Sequence, residues 1–369
     1  MLINYIIQLL GWHTRRQILV MESDDWGSIR MPSKKVYEEL ISNGYSVDKC
    51  LFSRYDSLET SEDLSRLFEV LSSVHDSNGY PVILTANSVV ANPDFEKIKE
   101  SGYKSYYYEP IIDSYRHQDG CSKSYELIKQ GISEGLWHPQ LHGREHLNVI
   151  RWMKALQDGD EVTRLCFEQR HFSLTPKASP KIKARYMDGF GNADIRTLSS
   201  ESETIKEAAN LFEKIYGYRS KSFIAPCYIW RREFESILKI NGIDYLQGLP
   251  LQQIPVEDDP LRCKVKFHYL GQKNKYGQLY LTRNAFFEPY KGTSENDVDD
   301  CLSRISIAFR CRKPAIISTH RLNYIGTLDE VHRDKNLKKL KLLLTSIKKK
   351  WPDVEFMSSD QLGDLISGK

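Results

Sequence analysis

Residues 17–27 read QILVMESDDWG, an apolar run that ends on a pair of acids. The run from Gln17 to Ser23 is short and bounded by polar residues, which predicts a buried strand rather than a helix. Asp24 and Asp25 close it. Neighbouring residues of an extended chain point to opposite sides, so one acid can bind a metal while the other does something else. The competing reading is a helix N-cap followed by an acid in the first turn. Trp26-Gly27 argues against it, because glycine is a poor helix-interior residue.

The same unit, a short apolar strand followed by a helical stretch, recurs along the chain. Strands are expected at Pro81 to Val90, Gly135 to Leu141, Ser222 to Trp230, Ile243 to Leu246, Gln278 to Asn284, Pro314 to Thr319 and Val354 to Met357. A helix from Arg231 to Ile240 is expected to stop at Asn241-Gly242. Strands alternating with helices imply parallel pairing and right-handed crossovers. Six to eight such units suit an α/β barrel, closed or nearly so, whose chemistry gathers at the C-terminal ends of its strands. An open doubly wound sheet is the alternative, but no Gly-x-Gly-x-x-Gly supports a dinucleotide site. The whole chain, 1–369, reads as one catalytic domain. Residues from about 150 to 205, with Pro176 and Pro180, read as an irregular insertion near the barrel mouth.

Composition narrows the classes. Hydrophobic residues make up 40% and charged residues 27% of 369, which is enough apolar material for a sizeable core. A net charge of +3 argues against a nucleic-acid partner. The lysines at 338, 339, 341 and 348–350 stand among leucines at helical spacing and read as a solvated helix face. Seven cysteines, an odd number without Cys-x-x-Cys spacing, suit a reducing compartment. Met1 to Leu10 is apolar without a cationic start or a cleavage site, so it reads as an opening amphipathic helix, and a cytoplasmic location is expected. No stretch reaches the roughly 18 to 20 apolar residues that span a bilayer. Composition is silent on oligomeric state.

His142-Gly-Arg-Glu-His146 follows one predicted strand, and the acidic pair ends another. A spacing of four would put both imidazoles on one face of a helical turn. Two imidazoles with adjacent carboxylates form the mixed nitrogen and oxygen set that a borderline divalent metal prefers. His142-x-x-Glu-His146 also fits the pattern of inverted zinc proteases, in which Glu145 would activate water. Pro139 and Gly143 make the long helix of that reading doubtful. His320 ends the strand PAIISTH and can serve as a general acid near neutral pH; alone it would as readily be a core histidine.

These residues resemble the polysaccharide deacetylase family with the NodB-type homology domain, whose members remove acetyl groups from sugars on a distorted α/β barrel. Glu22 to Gly27 is similar to the family's Thr-Phe-Asp-Asp-Gly, with Trp26 inserted. The resemblance implies that Asp24 is the catalytic base and Asp25 a metal ligand. His142 and His146 match the family's His-Ser/Thr-x-x-His, both metal ligands. Ile317-Ser-Thr-His320 is similar to Leu-x-x-His, whose histidine is the general acid. Ala225-Pro-Cys-Tyr228 resembles the Arg-x-Pro-Tyr/Phe segment, but Ile224 stands where the arginine belongs; Arg219 and Arg321 are the candidates to replace it. Glu288 is the stand-in for the family's acidic fourth motif. The implied metal is zinc, with cobalt, nickel or manganese as alternatives, and the implied partner is an acetylated carbohydrate. Trp26, Arg219, Pro226, Tyr228, Glu288 and Arg321 are the candidates for substrate contact, with a backbone N–H near Tyr228 for the oxyanion. Two other functions remain open: a glycoside hydrolase using Asp24 with Glu288 or Glu22, and a non-catalytic sugar-binding relative.

Overall fold

The computed structural model describes residues 8–179, 181–182, 185–257, 259–291 and 296–369. Met1 to Ile7, most of the expected opening helix, and Pro180 lie outside the described residues. Nine strands build the main sheet: β1 (Ile18–Trp26), β2 (Leu84–Ser88), β3 (Trp137–Leu141), β4 (Ser222–Ile224), β5 (Tyr245–Gly248), β6 (Leu279–Thr282), β7 (Ala285–Phe286), β8 (Ala315–His320) and β9 (Glu355–Met357). They run in the order β6-β5-β4-β3-β2-β1-β8-β7, with β9 beside the start of β1. Every pairing among them is parallel.

The two ends of that order are one piece of chain. β6 pairs with β5 from Leu279 to Thr282, and β7 pairs with β8 two residues later. The change of partner falls between Arg283, whose N–H donates to Gly248 O on β5, and Asn284, whose N–H donates to Ile316 O on β8. The Asn284 side chain stitches the seam by donating to Pro314 O and accepting from Ile316 N–H. One extended segment thus seals the sheet into a distorted barrel, as the alternation of elements predicted.

Alternation along β1 sorts its side chains. Ile18 and Val20 cluster with Tyr245, Leu279 and Leu281, with Ile316 of the neighbouring β8, and with Leu362 of the closing helix Ser359–Ser367, which plugs the floor. Leu19 and Met21 face outward into the larger core, under the helices Ser61–Ser72, Ser124–Ser133, Leu198–Tyr216, Asp297–Arg310 and Glu330–Lys350. On the last of these Leu337, Leu340, Leu343 and Leu344 are buried and Lys338, Lys341, Lys349 and Lys350 are exposed, the expected solvated face.

Several boundaries shift for physical reasons. The strand expected over Ser222 to Trp230 stops at Ile224, because Pro226 has no N–H to donate and Cys227 and Tyr228 take left-handed conformations. The helix expected from Arg231 begins at Phe234 and ends at the Asn241 cap. The stretch near 150–205 is more regular than expected. It holds the helices Val149–Gln157 and Glu161–Glu168, whose Trp152, Leu156 and Phe167 form a second core with Phe95 and Ile98. No helix among the described residues is long and apolar enough to cross a membrane, and all seven cysteines are free.

Candidate metal and acid–base site

Inward alternation on β1 continues from Val20 to Glu22 and Asp24. Asp25 would then face outward, but the pairing with β2 slips between Ser23 and Trp26 and Asp25 takes φ 78°. Aspartate tolerates this left-handed conformation better than most residues. The slip brings both carboxylates to the barrel mouth.

Asp25 Oδ1 lies 3.3 Å from His142 Nε2 and 3.1 Å from His146 Nε2. All three side chains are buried, and they are the one cluster among the described residues with metal-ligand spacing. The histidines do not share a helical turn: residues 142–147 form an irregular loop, with Gly143 at φ 107°. The rings still meet, with centroids 5.0 Å apart. His142 Nδ1 sits 2.8 Å from Ile224 O at the end of β4, which makes Nδ1 the protonated nitrogen and leaves Nε2 as an acceptor. Burial, reinforced by Arg30 and opposed by Asp25, drops the His146 pKa to about 4, so that ring is neutral at pH 7. Burial pushes Asp25 up, but Arg30 and His146 outweigh it and hold the carboxyl well below its ordinary range. Two ring nitrogens and a carboxylate oxygen converge, and this donor set fits a divalent metal.

Asp24 is clamped. Arg283 donates Nη1 to Oδ2 and Nη2 to Oδ1, both at 2.6 Å, and Asn87 donates to Oδ1 at 2.8 Å. The Tyr228 hydroxyl lies 3.4 Å from Oδ2. The same guanidinium donates Nε to Glu22 at 2.5 Å and Nη1 to Ser318 at 2.9 Å. Burial would raise the Asp24 pKa, but Arg283 and then His320 hold it at about 2.

His320 completes the group. Its Nε2 lies 3.7 Å from Asp24 Oδ2, and its Nδ1 lies 2.6 Å from Glu288 Oε1. Asn323 steadies the other Glu288 oxygen at 3.1 Å. Burial lowers the imidazole pKa, but Glu288 and Asp24 outweigh it and raise it to about 9. One group is thus held ionised and its neighbour protonated across the neutral range, the pattern of an acid–base pair.

No protein-family model matches the chain, and no curated protein matches it. Solved structures do. A protein of Parabacteroides distasonis assigned as a glycoside hydrolase/deacetylase aligns over 96% of this chain and 72% of its own, at 10% identity and a TM-score of 0.50. A protein of Mycobacterium smegmatis assigned as a polysaccharide deacetylase aligns over 97% and 93%, at 11% identity and a TM-score of 0.47. The peptidoglycan deacetylase PdaC of Bacillus subtilis aligns over 96% and 92%, at 9% identity and a TM-score of 0.40. The first likeness is one of fold alone, and the lower scores of the other two add nothing to it.

Of the expected substrate contacts, Glu288 and Tyr228 stand at the site. The backbone N–H of Tyr228 is committed to Ala225 O, so it offers nothing to an oxyanion. Pro226 is buried in the turn that follows β4. Trp26 is a core residue, 1% exposed and packed edge-on to Trp137. Arg219 precedes β4, at the end of the barrel away from the acids, where it is partly exposed and pairs with Glu213. Arg321 is fully buried and spent on Asp56, Glu59 and Ser28 O. Neither therefore supplies the arginine missing at Ile224. Arg283 brings a guanidinium to the site instead. A signal for it existed: Leu279, Leu281 and Arg283 alternate along a predicted strand, which puts the arginine on the inward face at the mouth. Glu145, the base of the protease pattern, is held by Arg144 at 2.6 Å and lies outside the ligand cluster.

Proposed function

We propose that this chain is a metal-dependent hydrolase that removes acetyl groups from an oligo- or polysaccharide. The observation that supports it most is the convergence of Asp25, His142 and His146 beside an acid–base pair of opposite charge. Asp25, His142 and His146 would hold the ion, most simply zinc, with cobalt, nickel or manganese as alternatives. A bound divalent ion supplies carbonyl polarisation and lowers the pKa of water from 15.7 towards about 7.

The chain's own groups supply the rest. Asp24, ionised at neutral pH, takes the proton from the attacking water. Arg283, Asn87 and Tyr228 fix its orientation from three sides. His320 enters the reaction protonated and passes that proton to the departing amine or hydroxyl. Glu288 turns the His320 ring and stabilises its charged form. The glycosidase reading is less well supported, because of the two partners it would give Asp24, Glu22 is fully buried between Arg283 and Ser359, and Glu288 is engaged by His320 and Asn323. The non-catalytic reading loses its main support once Arg283 stands beside Asp24.

The test is elemental analysis of the purified protein paired with an acetate-release screen over acetylated glycans. Stoichiometric zinc or a related ion, with acetate release that a chelator stops and zinc restores, is expected. A protein that binds no ion at the histidines under saturating zinc would refute the proposal.

A further inference from the structure

Three guanidiniums crowd the site, and they are unequally occupied. Arg283 serves two carboxylates and two hydroxyls. Arg321 serves two carboxylates and a carbonyl, at 2.7 to 2.9 Å. Arg30 makes a single side-chain hydrogen bond, from Nη2 to Asp25 Oδ2, at 3.3 Å. Its Nε faces Asp56 Oδ2 at 3.7 Å, too far to bond, and both atoms are buried without a hydrogen-bond partner. Arg30 is 6% exposed. A buried guanidinium with an idle donor is expensive unless something else uses it.

Its position says what could. The Phe52 ring lies 5.0 Å from the guanidinium carbon of Arg30, and the same ring packs edge-on to His320 with centroids 5.4 Å apart. Arg30 therefore stands one aromatic ring from the proposed proton donor, on the same rim. Asp25, the acceptor of its one hydrogen bond, also belongs to the proposed ligand set.

We propose that Arg30 recognises an oxyanion on the sugar being deacetylated, so that the substrate is an acidic glycan carrying a uronic carboxylate or a phosphate monoester. A guanidinium presents its donors as a planar fork that matches either group. The inference rests on the deacetylase reading above.

The test compares kcat/KM of the zinc-loaded protein on acetylated oligogalacturonate, on phosphorylated N-acetylglucosamine oligomers and on neutral N-acetylchitotetraose. Calorimetric titration with unacetylated oligogalacturonate and with the deacetylated phosphorylated oligomer, and metal content, are measured on the same samples. Wild type is expected to prefer one acidic substrate, and the better of the two names the oxyanion. Arg30→Gln should cut the acidic-to-neutral ratio roughly tenfold to a hundredfold, through KM, and Arg30→Lys should restore part of it. Parallel losses on acidic and neutral substrates with reduced metal content would overturn the proposal and leave Arg30 as a holder of Asp25. An indifferent wild type would overturn it too. If no substrate releases acetate at full metal loading, the deacetylase reading fails separately. Weaker binding of the acidic oligomers by Arg30→Gln than by wild type then still supports the anion site, and equal binding removes it.

Discussion

Replacing Glu288 with glutamine should shift the alkaline limb of the pH profile downward. The Glu288 carboxylate lies 2.6 Å from His320 Nδ1 and, with Asp24, outweighs burial to raise the imidazole pKa to about 9. Its charge favours the protonated ring, so removing it lowers the pKa, and the acid form is lost at lower pH. An opposite charge at this range moves a pKa by about 1 to 3 units. Asp24 remains 3.7 Å away and keeps part of the effect. With a drop of about 2 units the limb falls from about 9 to about 7. At pH 8 the protonated fraction then goes from roughly nine-tenths to one-tenth, about a tenfold loss of kcat, while at pH 6 the loss nearly vanishes. The assay is acetate release from pH 5 to 10 at saturating zinc, with metal content checked at each pH and the His320 ring titrated by NMR. A limb that stays near 9 in the variant, or a loss of rate equal at every pH, would refute the proton-donor role of His320.

Asp25→Ala and His142→Ala should each abolish both metal retention and acetate release, whereas Asp24→Asn should keep the ion and stop turnover; elemental analysis beside the rate assay separates the two, and a wild-type rate in Asp24→Asn would remove the base assignment. Arg283→Met leaves Glu22 and Asp24 buried without the guanidinium that pairs both, so urea denaturation should show a loss of about 3 to 5 kcal/mol; a loss under about 1 kcal/mol would mean that the clamp contributes little. Gly363→Ala would set a methyl 2.6 Å from the Tyr245 ring, where the closing helix plugs the barrel floor. Overpacking of this kind costs about 1 to 3 kcal/mol, to be read as a lower melting temperature, and an unchanged melting temperature would show that the helix can slide.

The proposed metal ligands and the proposed acid–base pair were legible in the sequence because each sits in a local pattern at a strand end. The apolar run before Asp24, the spacing of His142 and His146 and the strand before His320 all report nearby neighbours. The alternating elements were legible for the same reason, since burial on both faces of a parallel strand writes a continuous apolar run. Three things were not. The slip at Asp25 is a backbone event, and strict alternation would have sent that carboxylate outward. The histidine spacing suggested a helical turn, where a loop with Gly143 at φ 107° does the work. The clamp on Asp24 comes from Arg283, 259 positions along the chain, and a pairing at that distance leaves no mark on local periodicity. Arg219 and Arg321 were plausible by position alone; the far end of the barrel rules out the first, and burial with three committed partners the second.

Arg283 and Asn284 link the closure of the barrel to the chemistry at its mouth. At this point the chain passes from β5 to β8, and the backbone N–H groups of the two residues bond opposite edges of the seam. The Arg283 side chain turns inward and ties Glu22 and Asp24 of β1, on the wall next to β8. Sealing the sheet and orienting the proposed base are therefore one structural event: Asp24 can be gripped from both oxygens only when β6 and β7 have docked. A parallel barrel assembles from contacts distant in sequence and pays loop-closure entropy for each. Placing the ion-paired arginine at the last junction means that the buried acids Glu22 and Asp24 receive their counter-charge only when the barrel is complete. That arrangement disfavours an open sheet, in which the two carboxylates would lack the guanidinium that pairs both.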